Sequence, residues 1–277
     1  MLPTSQLRST VFFLGGADLE MVTIRELLRD VGARVVDHRL SWGARESDYA
    51  TELREARNAG LTAVLIELSS VGDPTTNDHG LHWSLLGRSS MIRAIDHHGP
   101  RAGSDCPSSL RQVFEYLALD QREWPRWYTL VEANDIGHIV GMRAIGATDQ
   151  EIRHVRIADL RAQGATYDDF EAAAEAITSA VQSGGGTLVV RLPHEHASVA
   201  GDLLHPLFGH SVAQPIRLVV RTPNRIVVTS DGDTIRRLCW KIPGGWWGGS
   251  LPERGFWGIM DSSPRDGRLG EVLTVVE

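Results

Sequence analysis

An aspartate and two histidines leave an apolar run together: Asp96-His97-His98 follows Met91-Ile92-Arg93-Ala94-Ile95 and precedes Gly99-Pro100-Arg101-Ala102-Gly103. A hard divalent cation takes the carboxylate, and imidazole suits Mn²⁺, Fe²⁺, Co²⁺ or Zn²⁺. A solvated polar loop can carry the same triplet, so its meaning rests on acids elsewhere in the chain. Asp18-Leu19-Glu20 follows the apolar run Val11-Phe12-Phe13-Leu14-Gly15-Gly16-Ala17, and Glu67 follows Thr62-Ala63-Val64-Leu65-Ile66. Tyr128-Thr129-Leu130-Val131 reads as another strand and leads to Asp135 through Glu132-Ala133-Asn134. Ligands bind outside the carboxyl ends of the strands of an open parallel sheet. Acids at four such ends therefore point to one crevice, although any one of them also serves as a helix cap.

The elements that would carry these groups alternate. The run from residue 11 passes into a helical pattern (Leu19, Val22, Ile24, Leu27, Leu28), Arg34-Val35-Val36-Asp37 reads as a strand, and residues 48–58 read as a helix stopping at Gly60. Strand, helix, strand, helix, strand is the signature of a parallel sheet. Ser108-Ser109 caps a helix with an apolar face of Leu110, Val113, Phe114 and Leu117. Helices start at Thr148-Asp149 and near Asp168-Asp169, and the second ends at Gly184-Gly185-Gly186. Beyond that point Thr187–Leu192, Arg217–Arg221 and Arg225–Ser230 read as strands, the last two joined by Thr222-Pro223-Asn224. The expected class is α/β. A parallel-sheet domain occupies residues 1–147, a helical linker 148–186, and a smaller α/β domain 187–277.

With these motifs in place the chain resembles the DHH phosphoesterase superfamily, whose members hold two metals through a first motif His-x-Asn-Pro-Asp-x-Asp, a strand-end Asp, the DHH triplet and a later Asp. The resemblance implies Asp18, Glu20, Glu67, His97 and Asp135 as metal ligands, with Mn²⁺ first and Mg²⁺ or Co²⁺ as alternatives. It implies catalytic roles for Asp96, His97, His98 and Arg101. Leu14 stands where the family has its first-motif His, Gly16 and Ala17 replace Asn-Pro, and Glu20 and Glu67 replace Asp. With one ligand missing, the expected metal is single or weak rather than a tight pair. His79 and His82 add two imidazoles in a polar loop, and His194 and His196 stand two apart after the strand 187–192.

The family's second domain grips substrate phosphate with a glycine-rich loop, and Gly244-Gly245-Trp246-Trp247-Gly248 resembles that loop with Trp246 in place of its His. Glycines let backbone N–H groups approach an anion, and an indole stacks on a base. Arg254, beside Phe256 and Trp257, adds a cation, and Arg143 is a further phosphate candidate, since arginine grips phosphate bidentately. The implied activity is metal-dependent hydrolysis of a small nucleotide or short oligonucleotide in an inter-domain cleft. Two other readings stay open: a degenerate relative that binds a nucleotide or phosphometabolite without turnover, and a partner-binding protein with Trp246, Trp247 and Trp257 at its interface.

Composition limits the partners. The chain has 277 residues and a formal net charge of −7, which argues against a long duplex nucleic acid held through counterion release. A small phosphorylated ligand in a local basic patch fits, as does a homodimer. Only two cysteines are present, Cys106 and Cys239, without metal-ligand spacing. No apolar run reaches membrane-spanning length, and a cytoplasmic protein with no membrane partner is the expectation.

Overall fold

The computed structural model describes residues 2–68, 92–98, 106–183, 186–208, 217–262 and 267–277. It divides into two units, Met1–His97 with Pro107–Glu132, and His98–Cys106 with Ala133–Glu277. Arg101, His79 and His82 lie outside the described residues.

In the first unit α1 (Thr4–Arg8) precedes β1 (Thr10–Leu14), α2 (Leu19–Asp30), β2 (Arg34–Val36), α3 (Ala50–Asn58), β3 (Thr62–Ile66), β4 (Ile92–Ile95) and α4 (Ser109–Tyr116). The four strands form one parallel sheet in the order β2-β1-β3-β4. All five β1 residues are buried, as a parallel strand covered on both faces requires. On one face Val11, Phe13, Ala63 and Leu65 pack with Tyr49, Leu53 and Ala56. On the other, Phe12 meets Tyr116 of α4 edge to face. Alternation along one strand therefore hands Phe12 and Phe13 to opposite helical layers.

Tyr128–Val131 is not a strand. It lies inside α5 (Arg126–Ala144), which follows Pro125. The β-forming types Tyr, Thr and Val are overridden by packing, because Tyr128 stacks edge-on against Phe114 and Trp124 while Leu130 and Val131 are buried. Asp135 is thus a helical residue. Helix α5 breaks at His138, whose φ of 52° and ψ of −142° leave the helical region.

The second unit adds α6 (Asp149–Ala162), α7 (Tyr167–Thr178), β5 (Val181–Gln182), β6 (Thr187–Arg191), α8 (Ala197–Leu203), β7 (Arg217–Arg221), β8 (Arg225–Ser230), α9 (Gly232–Lys241), β9 (Trp246–Ser250), β10 (Arg254–Met260) and α10 (Gly267–Val276). Its six strands run β5-β6-β7-β8-β10-β9, with only β6 and β7 parallel. Leu160, Ala173 and Ile177 of α6 and α7, read from sequence as a linker, pack with Val190, Val199 and Val220 in this unit's core. Val219, Val228 and Trp257 face the other way, toward Ile235, Leu238 and Val272 of α9 and α10.

Within the Gly244–Ser250 stretch, expected as a loop, Trp246–Ser250 enters the sheet as edge strand β9, with Trp247 opposite Trp257 and Trp246 opposite Gly258. A Cβ on Gly245 would stand 2.5 Å from Trp257 Nε1. The glycine admits the indole, and Trp257, fully buried, is core rather than stacking surface.

Candidate metal centre

Three elements of the first unit bring acids and an imidazole together. Glu67 follows β3 directly and holds a left-handed φ of 50°, a strained conformation for a residue with a Cβ. Gly15, at the end of neighbouring β1, has room only for hydrogen there: a Cβ would come within 2.6 Å of the Glu67 carbonyl oxygen. His97 follows β4 by two residues and is 4% exposed. Glu20 lies in the first turn of α2 and is buried.

Their polar atoms converge. His97 Nε2 stands 3.2 Å from Glu67 Oε1 and 3.8 Å from Glu20 Oε2, and the three ligand atoms lie within 4.8 Å of one another. The Glu20 and Glu67 side chains are 1% and 8% exposed. Two buried carboxylates beside one imidazole concentrate negative charge in a poorly solvated place, and burial makes such a concentration costly. A divalent cation offsets it, and carboxylate with imidazole is a donor set that first-row ions accept. The residues present therefore fit a metal.

The neighbours of these ligands hold them in place. Leu110 N–H, in the first turn of α4, donates to Glu20 Oε1 at 2.8 Å, which leaves Oε2 turned to His97. Gln112 Nε2 donates to the Asp96 carbonyl at 3.3 Å and to that of Pro107 at 2.9 Å. Asp18 is the N-cap of α2 and accepts from Met21 N–H through Oδ1 at 2.8 Å. Among the described residues of this unit, Glu20, Glu67 and His97 are the ones whose candidate ligand atoms converge. Leu14 is 1% exposed and its carbonyl accepts from the Tyr49 hydroxyl at 2.7 Å. The sequence did not reveal the part of α4: Ser108-Ser109 reads as a helix start, and nothing in the spacing shows that the turn behind it grips Glu20.

In the second unit His98 meets Phe256 edge to face at 5.9 Å, and a Cβ on Gly248 would lie 2.5 Å from its Cδ2. Asp135 is on α5, and Arg143, in the last turn of α5, pairs with Asp149 where both are exposed. Such surface pairs contribute little. Gly244 and Gly245 precede β9, Trp246 and Trp247 are half-buried in it, and Arg254 starts β10 on the surface. His194 Nε2 bonds the Asp169 backbone carbonyl at 2.9 Å, which ties the imidazole to α7.

No family model matches the sequence, and no curated protein does. Among solved structures the chain is similar to RecJ in complex with Mn²⁺ from Thermus thermophilus, with a TM-score of 0.53 at 13% identity. The match covers 99% of this chain and 52% of that one, so the chain spans about half the length of that protein. The likeness shows a fold shared with that structure. Two other solved structures are less alike. Exonuclease RecJ bound to manganese gives a TM-score of 0.47 at 15% identity, covering 97% of this chain and 89% of that one. A pGpG-specific phosphodiesterase, PggH, from Vibrio cholerae gives 0.33 at 11%, covering 96% and 98%. At these identities the likeness concerns the fold, and activity has to be argued from the site.

Proposed function

We propose that the protein is a metal-dependent phosphoesterase acting on a small nucleotide or short oligonucleotide, with Mn²⁺ as the first candidate ion and Mg²⁺ or Co²⁺ as alternatives. The observation that carries this reading is the buried convergence of Glu20 Oε2, Glu67 Oε1 and His97 Nε2 at the strand ends of a DHH-type sheet. A bound divalent ion supplies Lewis acidity toward the phosphoryl group and makes water a stronger nucleophile at neutral pH. Glu20, Glu67 and His97 are the residues that would hold it. Helix α4 fixes Glu20 through Leu110 N–H, and Glu67 Oε1 stands 3.2 Å from His97 Nε2.

Asp96 and His98 are assigned to the catalytic set and Arg101 to charge on the phosphoryl oxygens, all by the sequence resemblance. Asp135 as a further ligand has the same source, and Asp135→Asn tests it through metal affinity. Arg143, Arg254 and the Gly244–Gly248 stretch with Trp246 and Trp247 are the proposed substrate contacts, and a cytoplasmic location belongs to the same reading.

The deciding experiment is titration of the purified protein with Mn²⁺ by calorimetry, followed by hydrolysis assays on dinucleotides and a generic phosphodiester. Stoichiometric binding that His97→Asn weakens at least tenfold, with metal-dependent turnover, supports the reading. No Mn²⁺ binding by the unaltered protein overturns it. One observation favours a second reading, ligand binding without turnover: Leu14, where the family has a metal-binding His, is packed into β1. Binding of Mn²⁺ and nucleotide with no hydrolysis would select that reading.

A further inference from the structure

The first turn of α4 has donor capacity that the folded chain leaves idle. Leu110 N–H is committed to Glu20 and Arg111 N–H to the Ser108 hydroxyl at 3.3 Å. Ser109, the first helical residue, is 0% exposed, and its Oγ has no hydrogen-bond partner among the described residues. Buried polar side chains are paired in the large majority of cases, and one left over in a native structure calls for an explanation such as a catalytic role or an absent ion.

The position of this turn supplies one. It is pinned to the acid–imidazole cluster from two sides, by Leu110 to Glu20, whose second oxygen faces His97 at 3.8 Å, and by Gln112 to the carbonyl of Asp96 at 3.3 Å. A helix of two turns starting there adds partial positive charge at its amino terminus. Negative charge on the chain is already concentrated in Glu20 and Glu67, which face the cation position. A tetrahedral phosphoryl group has oxygens pointing in more than one direction, so one can face the cation while another accepts from a hydroxyl at the side.

We propose that the Ser109 hydroxyl, in the amino-terminal turn of α4, forms an oxyanion subsite that donates a hydrogen bond to a non-bridging phosphoryl oxygen of the ligand held at Glu20, Glu67 and His97. The proposal rests on the phosphoesterase reading. It requires no bond to the serine: the hydroxyl keeps its proton and donates to an anionic oxygen, an interaction strongest in a dry site.

Calorimetry on unaltered protein, Ser109→Ala and Ser109→Thr separates the possibilities. Mn²⁺ is titrated first, then inorganic phosphate at saturating Mn²⁺. The expected result is Mn²⁺ affinity within about twofold in all three proteins. Phosphate affinity should fall roughly tenfold to a hundredfold in Ser109→Ala, the range for one hydrogen bond to a charged group, and recover at least partly in Ser109→Thr. The melting temperature of the metal-free Ser109→Ala protein should not fall, since an unpartnered hydroxyl contributes nothing to lose. Equal phosphate affinity in Ser109→Ala and the unaltered protein overturns the subsite, most plainly if the metal-free variant melts lower. Should Ser109→Ala not fold, Ser109→Cys, similar in size with a weak donor, carries the same comparison. Failure of the unaltered protein to bind Mn²⁺ overturns the phosphoesterase reading itself, and the subsite with it.

Discussion

Glu67 carries two costs in the metal-free protein, a left-handed φ of 50° and a carboxylate buried beside Glu20 around one imidazole. A non-glycine residue in that backbone region costs about 1–2 kcal/mol, and glycine occupies it freely. Glu67→Gly should therefore leave the metal-free protein within about 1 kcal/mol of the parent after glycine's entropic penalty, while abolishing the stabilisation by Mn²⁺ that the proposed function calls for. Chemical denaturation with and without Mn²⁺ checks both halves. A variant that loses several kcal/mol without metal would show that the Glu67 side chain is structural. Cys239 of α9 lies at the opposite extreme, since burial pushes its thiol up to about 12. It should resist iodoacetamide at pH 8, where an ordinary thiol alkylates readily, and mass spectrometry reads the outcome.

At the scale of elements, capping decides where helices begin and does so with a pH signature. Asp231 caps α9: desolvation raises its pKa, but bonds from Thr234 N–H at 2.9 Å, the Thr234 hydroxyl and the Ser230 hydroxyl outweigh it and hold the group at about 2. A depressed folded pKa contributes stability that is complete above the unfolded carboxylate value and is lost as pH falls through the folded one. The α9 cap should therefore weaken between about pH 5 and pH 2. Asp231→Asn, which still caps but cannot titrate, should flatten that part of the urea-stability profile, and Asp231→Ala should cost about 1 kcal/mol at pH 7. An unchanged acid limb in Asp231→Asn would refute the assignment. The same competition between cap and ligand explains what the sequence showed and hid. β1, β3 and β4 were legible because short apolar runs broken by glycine or acid are what buried parallel strands look like. The cap at Asp18 was hidden because an N-cap aspartate and a metal-binding aspartate are alike in sequence. Residues 128–131 misled because β-forming types fill a helix that is held by packing on Phe114 and Trp124, which lie outside the four-residue run itself. The strand at Trp246–Ser250 was hidden because nothing local reveals that β10 offers glycine and tryptophan as cross-strand partners.

At the scale of the molecule, each unit has its own sheet and core, and the second depends on a buried charge network absent from any motif. Arg156 of α6, 2% exposed, forks onto Asp202 of α8 with bonds of 2.9–3.1 Å and reaches Asp159 at 2.7 Å and Asn134 of α5 at 2.8 Å. His138, at the break in α5, adds a contact to Asp202 at 3.1 Å. Two aspartates, one arginine and one imidazole thus join three helices where an apolar core would not fix their register. Taking the arginine away removes the counter-charge of two buried carboxylates, a loss of about 3–5 kcal/mol for a broken buried pair. Arg156→Met should therefore lower the stability of the second unit by that amount. Removing the charge of Asp202 at the same time, as Arg156→Met with Asp202→Leu, should recover part of it, because one of the two buried carboxylates is gone while Asp159 keeps its bond from Gln163 Nε2 at 3.0 Å. Glu20, Glu67 and His97 belong to the first unit, so under the proposed reading Mn²⁺ at one hundred times its dissociation constant should still stabilise that unit by about 2.7 kcal/mol in both variants. Denaturation followed by hydrogen exchange, which reports the two units separately, decides the matter. Loss of the Mn²⁺ response in Arg156→Met would mean that the network supports the metal centre as well as its own core.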